Sequence, residues 1–191
     1  KYKSFRPKLL TLITVARYAE KKKGFDFVEK IGRCLVNKIE FRWIIIGRNV
    51  SKLSKNEFIS KHRKNFKLIE EINNDELFFP NSKLIRYYKS STIYAHLSRI
   101  ESFGITILEA LSCNLPIISF KSIGSKILIK NGLNGYLVKC YDIDQYVSKI
   151  FKLNNSKFVH NKSNFNNLIK YDLDFNAKKS IKDYKFLINH H

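Results

Sequence analysis

Glu101 and Glu109 stand eight residues apart in the run E-S-F-G-I-T-I-L-E-A, on either side of a Phe-Gly pair. On one continuous helix they would lie about 12 Å apart, too far to share a proton or hold one atom between them. The pair makes better chemical sense if Glu101 closes a loop and a helix begins near Gly104. Glu101 then stands at the mouth of a helix N-terminus, whose free backbone N–H groups attract phosphate. Glu109 sits over a turn deeper, on the face with Ile105, Leu108 and Ser112. Phosphate in the middle with a hydroxyl-accepting carboxylate on each side would suit a nucleotide sugar. The spacing alone fits equally well an ordinary amphipathic helix with one exposed and one half-buried glutamate.

The surrounding pattern says what must position these groups. Lys8–Ala16 is short, apolar and β-branched, and reads as a buried strand, as do Phe41–Ile46, Phe66–Ile69, Thr92–Leu97, Leu115–Phe120 and Gly135–Val138. Helical spacing marks Phe25–Ile39, Ser82–Ser90, Gly104–Cys113 and Ser125–Lys130. Ser54–Arg63 carries Ser54 with Glu57 three residues on, a capping-box pattern. Asn114, tolerant of left-handed backbone, ends the glutamate helix, with Pro116 two residues later. Asp142–Phe151 reads as a helix capped by Asp142, and Phe175–Ile188 as a final amphipathic one. Strands alternating with helices predict an α/β fold: a doubly wound, mainly parallel sheet with helices on both faces. Ligands of such sheets bind beyond the strands' carboxyl ends. The loops Arg17–Gly24, Gly47–Asn49, Leu97–Gly104 and Phe120–Gly124 are therefore the ones to watch.

At 191 residues the length fits one domain, and 44% hydrophobic content argues against disorder. No apolar run approaches the length of a membrane span, and no export signal is present in the sequence. The chain contains no methionine, at position 1 included, which suggests a piece of a longer protein. Cys34, Cys113 and Cys140 lack metal-ligand spacing and fit reduced thiols in the cytoplasm, so no metal is expected. Cys34 and Cys113 read as small core residues on apolar helix faces. The net charge of +20 suits a phosphate-bearing partner, whether nucleotide, nucleic acid or anionic membrane. Because the lysines are spread along the whole chain, a generally basic surface is the preferred reading over a nucleic-acid groove.

The order of motifs resembles the C-terminal, donor-binding domain of retaining GT-B glycosyltransferases of family 4. V-A-R-Y-A-E-K-K-K-G (Val15–Gly24) is similar to the family's G-R…K-G segment, and W-I-I-I-G (Trp43–Gly47) to the strand that follows it. H-L-S-R-I-E-S-F-G-I-T-I-L-E-A-L-S-C-N-L-P-I-I (His96–Ile118) is close to P-S-x-x-E-x-F-G-x-x-x-L-E-A-x-A-x-G-x-P-V-V. N-G-L-N-G-Y-L-V (Asn131–Val138) nearly matches D-G-x-N-G-x-L-V. The four segments run in the family's order from about Leu9 to Leu153, which the Glu-x7-Glu spacing alone does not match for specificity.

The resemblance implies one half of a GT-B fold: a linker at 1–7, a nucleotide-sugar-binding domain at 8–153 and a C-terminal helical segment at 154–191. It implies that Arg17 and Lys23 bind the donor's diphosphate, Glu101 the sugar hydroxyls and Glu109 the ribose. Backbone N–H groups around Ser102, Phe103, Gly104 and Ile105 would meet phosphate or sugar. Gly47, Leu108 and Gly124 would line the donor pocket, and the loop Phe79–Asn81 would face the base. Arg17, Lys23 and Glu101 are the residues it implies for catalysis, without a metal or other cofactor. The acceptor would bind an N-terminal domain that 191 residues cannot also contain, so this piece alone would transfer nothing. The basic surface permits docking at the cytoplasmic face of an anionic membrane.

Departures from the pattern bear on the pocket. Where the family has a Gly-Gly pair followed by Glu, this chain has Ile123, Gly124 and Ile127. Leu97 replaces the usual Pro and Asn114 the helix-ending Gly. His96 borders the site and reads as packed core, and Arg99 reads as a partner for Glu101. Two other classes fit parts of the sequence. A non-catalytic nucleotide-sugar-binding module would keep Arg17 and Lys23 but need neither glutamate. A nucleic-acid-binding domain would use Lys and Tyr on one face and bind in a strongly salt-dependent way.

Overall fold

Leu10–Val15 forms β1, an apolar run buried along almost all its length, as expected for a central parallel strand. The computed structural model describes residues 9–19, 21–70 and 82–155. The expected linker at 1–7, the base-facing loop at 79–81 and the C-terminal segment beyond 155 lie outside the described residues. β2 (Phe41–Ile46), β3 (Phe66–Ile69), β4 (Ile93–His96), β5 (Ile117–Phe120) and β6 (Gly135–Val138) complete one six-stranded sheet in the order β3-β2-β1-β4-β5-β6. Every pairing is parallel. The expected doubly wound α/β fold is thus the observed one.

Alternation along the strands gives the sheet its two faces. Leu10, Leu12, Trp43, Ile45, Ile93, Ala95, Ile118 and Phe120 belong to a core shared with α1 (Asp26–Val36) and α6 (Ile143–Asn155). Phe27, Val28, Ile31 and Leu35 of α1 and Tyr146, Val147, Ile150 and Leu153 of α6 supply the helical side. Tyr94 and Ile117, one residue out of phase, turn to the opposite face, which α3 (Ser82–Lys89) and α4 (Ile105–Ser112) cover. Two polar side chains inside the sheet pair with each other and with the backbone: Trp43 Nε1 donates to Thr14 Oγ1 at 3.0 Å, and Thr14 donates to Ala95 O at 2.7 Å.

Local starts differ from the expected ones in several places, β5 among them, which begins at Ile117 rather than Leu115. After β2 the chain forms a 3₁₀ turn, Val50–Lys55, whose Asn49 and Ser51 N–H groups donate to the Glu70 carboxylate. α2 (Glu57–Lys61) begins only after it, and Asn56, not Ser54, is its cap, accepting from Ile59 N at 3.1 Å. Ser54 is used up inside the 3₁₀ turn, donating to Ser51 O. α5 (Ile123–Leu128) starts two residues earlier than expected, because Ser122 and Ser125 cap it reciprocally. Asp142 does cap α6, its Oδ1 accepting from Gln145 N at 2.9 Å. Asn114 takes the left-handed conformation, φ 59°, that its place after α4 predicts. Cys34 and Cys113 are half-buried rather than wholly internal.

Candidate active site

Chain direction reverses at the middle of this sheet: β1 leads outward through β2 to β3, and β4 returns to β1's other side. Loops leaving the carboxyl ends of β1 and β4 therefore lead to opposite halves, and such a switch point is the crevice where sheets of this kind bind ligands. Those two loops carry Arg17–Gly24 and Leu97–Gly104. The fold brings them together at Gly24, whose φ is +71° and whose missing Cβ would lie 2.1 Å from Leu97 O. A side chain there would force the loops apart.

Lys23 and Glu101 meet across this seam, Nζ to Oε2 at 2.8 Å, with both side chains mostly buried. His96, at the end of β4 and 3% exposed, brings Nε2 to 3.8 Å from the same carboxylate oxygen. Burial lowers the His96 pKa to about 4; Glu101 opposes that shift and Lys23 adds to it, so the ring is neutral near pH 7. Arg99 does not pair with Glu101. It forms a two-pronged bond with Asp26 at the start of α1, donates to Lys21 O, and lies over the rings of Phe27 and Tyr141. Its planar fork can bond a carboxylate and stack on rings at once, so it binds the β4 loop to the β1 loop.

Helix α4 then starts at Gly104, in left-handed backbone at φ 91°, with no side chain capping it. Ile107 N already donates to Gly104 O, so among the described residues the N–H groups of Ile105 and Thr106 are the ones placed to meet a ligand or water. Gly124 supports the loop from behind: its N–H donates to Glu101 O at 2.8 Å, and a Cβ would sit 2.6 Å from the Phe103 carbonyl carbon. Glu109, only 7% exposed, is turned into the molecule, away from the exposure of Ile105 and Ser112 with which its spacing grouped it. Tyr88 of α3 donates to Glu109 Oε2 at 2.7 Å. Burial raises the Glu109 pKa, and the Tyr88 hydrogen bond works against that rise. Glu109 Oε1 and His96 Nε2 are the buried side-chain polar atoms left without a partner among the described residues. A buried oxygen or nitrogen left so is costly unless something else bonds it.

A family model described as "Glycosyl transferases group 1" matches residues 3–171. The chain belongs to that family. It is 26% identical over 170 residues to an uncharacterized glycosyltransferase of Haemophilus influenzae, covering 87% of this chain and 45% of that protein. The chain thus spans about half the length, or less, of the curated relatives it matches. Among solved structures, a glycosyltransferase from Rickettsia africae superposes with a TM-score of 0.74 at 17% identity, over 97% of this chain and 50% of that one. The Anabaena protein Alr3699/HepE, solved with UDP and glucose, superposes with a TM-score of 0.67 at 15% identity, over 90% and 48%. These likenesses establish the GT-B type of fold.

Within this glycosyltransferase domain the structure gathers Lys23, Glu101, Ser102, Phe103, Gly104, Ile105 and Gly124 around one seam, with His96 behind it. Glu109 and Leu108 lie farther along α4. Arg17 is exposed at the carboxyl end of β1, where its backbone N approaches Gly47, at φ +147°. Gly47 thereby has a packing role of its own, since a Cβ would meet Ala16 O at 2.1 Å. Among the described residues no group of three or more metal-ligating side chains occurs, and no helix is long and apolar enough to cross a membrane. Tyr88 and the Arg99–Asp26 bond were not legible in the sequence. Asp26 is the acidic first-turn residue of α1, a place where a carboxylate is favoured, but nothing local pairs it with a residue 73 positions away.

Proposed function

We propose that this chain is the donor-binding half of a retaining glycosyltransferase, holding a nucleotide-diphosphate sugar while an acceptor bound by another domain takes the sugar. The observation that carries the reading is the Lys23–Glu101 pair across the β1–β4 crevice, beside an uncapped helix N-terminus. A diphosphate would take Lys23 Nζ from Glu101 and rest against the first N–H groups of α4, with Arg17 reaching it from the end of β1. Glu101, released from the lysine, would accept from sugar hydroxyls. Glu109 Oε1 would accept from a ribose hydroxyl, which answers its lack of a partner.

Transfer breaks the bond between the sugar's anomeric carbon and the phosphate oxygen, and the electron pair stays with the diphosphate. Negative charge therefore grows where Lys23, Arg17 and the α4 N-terminus stand. Groups fixed before reaction stabilise that charge without reorganising, and no metal is needed for it. Glu101 and Glu109 serve as holders of hydroxyls, not as an acid and nucleophile pair. The UDP and glucose of the Anabaena structure agree with such a donor class; the base, sugar and acceptor of this protein are open to assay. Its basic surface also permits docking at an anionic membrane carrying the acceptor.

Thermal unfolding of the chain with UDP-, GDP- and ADP-sugars tests the reading. One donor should raise the melting temperature in the parent and not in Lys23→Ala; stabilisation by none of them, in the chain or the longer protein, overturns it.

A further inference from the structure

Two facts about Glu109 belong together. Its Oε2 accepts from the Tyr88 hydroxyl at 2.7 Å, and its Oε1 is buried with no partner among the described residues. We propose that Tyr88 is a positioning residue for donor binding: its phenol pins one oxygen of Glu109, leaving Oε1 as the acceptor for a nucleotide ribose hydroxyl. The inference rests on the reading of Glu109 given above.

Tyr88 is built to hold its place. It is fully buried, and its ring packs 5.9 Å from that of Tyr94 on β4. The Tyr94 hydroxyl is in turn engaged with Thr106 Oγ1 at 2.7 Å, within the first turn of α4. The phenol thus connects α3, β4 and α4 at the carboxylate. Three titratable groups face Glu109: Tyr88 from α3, Tyr94 from β4 and Cys113 at the end of its own helix. Burial holds all three above their ordinary pKa, so they are neutral around pH 7. Lys89 of α3 faces Cys113, and no described cation is hydrogen-bonded to Glu109. The phenol is therefore the group that offsets the cost of keeping a buried carboxylate charged.

Removing the hydroxyl raises the Glu109 pKa further. A protonated carboxyl is a poorer acceptor, so nucleotide affinity falls as pH is lowered, and the gap between variant and parent narrows at high pH. Titration calorimetry on the full-length glycosyltransferase tests this, with UDP, GDP and ADP tried in turn and the tightest binder carried forward. Tyr88→Phe is expected to weaken binding about tenfold, with the loss growing as pH is lowered. Donor KM should rise while kcat at saturating donor stays close to the parent's. In a Glu109→Gln background, Tyr88→Phe should cost nothing more and add no pH dependence.

If Glu109→Gln weakens binding but Tyr88→Phe keeps the parent's affinity and pH profile, Tyr88 has no such role. A loss that is equal at every pH, with a lowered melting temperature, makes Tyr88 a packing residue and overturns the inference in the same way. If Glu109→Gln itself binds as the parent does, the ribose reading of Glu109 fails instead.

Discussion

Lys23 and Glu101 neutralise each other across the β1–β4 seam, and this predicts opposite consequences for their removal. Lys23→Ala should weaken nucleoside diphosphate binding by about tenfold or more, since a charge-assisted hydrogen bond is lost. Glu101→Gln frees the lysine, so calorimetry should find nucleoside diphosphate binding kept or tightened. Transfer by the full-length enzyme should nevertheless fall by about tenfold to hundredfold, because the sugar loses its acceptor. Loss of nucleotide binding in Glu101→Gln would remove the exchange of partners from the mechanism. His96 gives a separate readout. Its pKa is lowered in the folded state, so stability is intact above the unfolded value of 6.5 and is lost as pH falls towards about 4. The loss approaches roughly 3 kcal/mol across that window, and thermal melts of His96→Gln should show a flatter pH dependence.

The two loops of the crevice form one unit at the element scale, closed by Gly24 and by Arg99. Gly24→Ala would put a Cβ 2.1 Å from Leu97 O on a backbone at φ +71°, so some part of the seam must move. A destabilisation of about 2 kcal/mol or more is expected in denaturant unfolding, with weaker donor binding alongside. Arg99→Met keeps some of the stacking on Phe27 and Tyr141 but strips the bonds to Asp26 and Lys21 O. It should cost about 1–3 kcal/mol and loosen the alignment of Lys23 with Glu101. An unchanged donor KM in Arg99→Met would show that the loops keep their positions without it. The existence of β1, β2 and α1 was legible from their long apolar periodicity, but of the three only β2 has the expected bounds, and α1 ends at Val36 rather than Ile39. Boundaries were not legible at Val50–Lys55, because the carboxylate that holds that turn, Glu70, arrives from the end of the next strand.

At the scale of the whole molecule, the sheet order is what turns a list of motifs into a site. With β1 and β4 adjacent, residues 78 positions apart come within hydrogen-bonding distance. A donor that binds only this folded arrangement adds about 2.7 kcal/mol of stability at a hundred times its Kd, which sets the size of the thermal shift to look for. The +20 charge predicts weak, nonspecific binding to any polyanion. That binding should vanish with added salt, while the stabilisation by nucleotide sugar largely survives, because the Lys23 site is sheltered. Gel-shift and thermal assays at two salt concentrations separate the two effects.

The α/β class, the parallel sheet and the strand-end loops were legible in the sequence because hydrophobic period is a local property of a chain, and the family was legible through the resemblance of its four motif segments. The sequence also placed Glu101 before a helix and Glu109 within it. It took the tertiary structure to show that Lys23 meets Glu101, that Arg99 turns to Asp26, and that Glu109 faces Tyr88 with one oxygen unpaired among the described residues. Lys23 and Glu101, like Asp26 and Arg99, come from separate βα units that the β1–β4 pairing brings within reach, whereas Tyr88 and Glu109 meet from the two helices that flank β4.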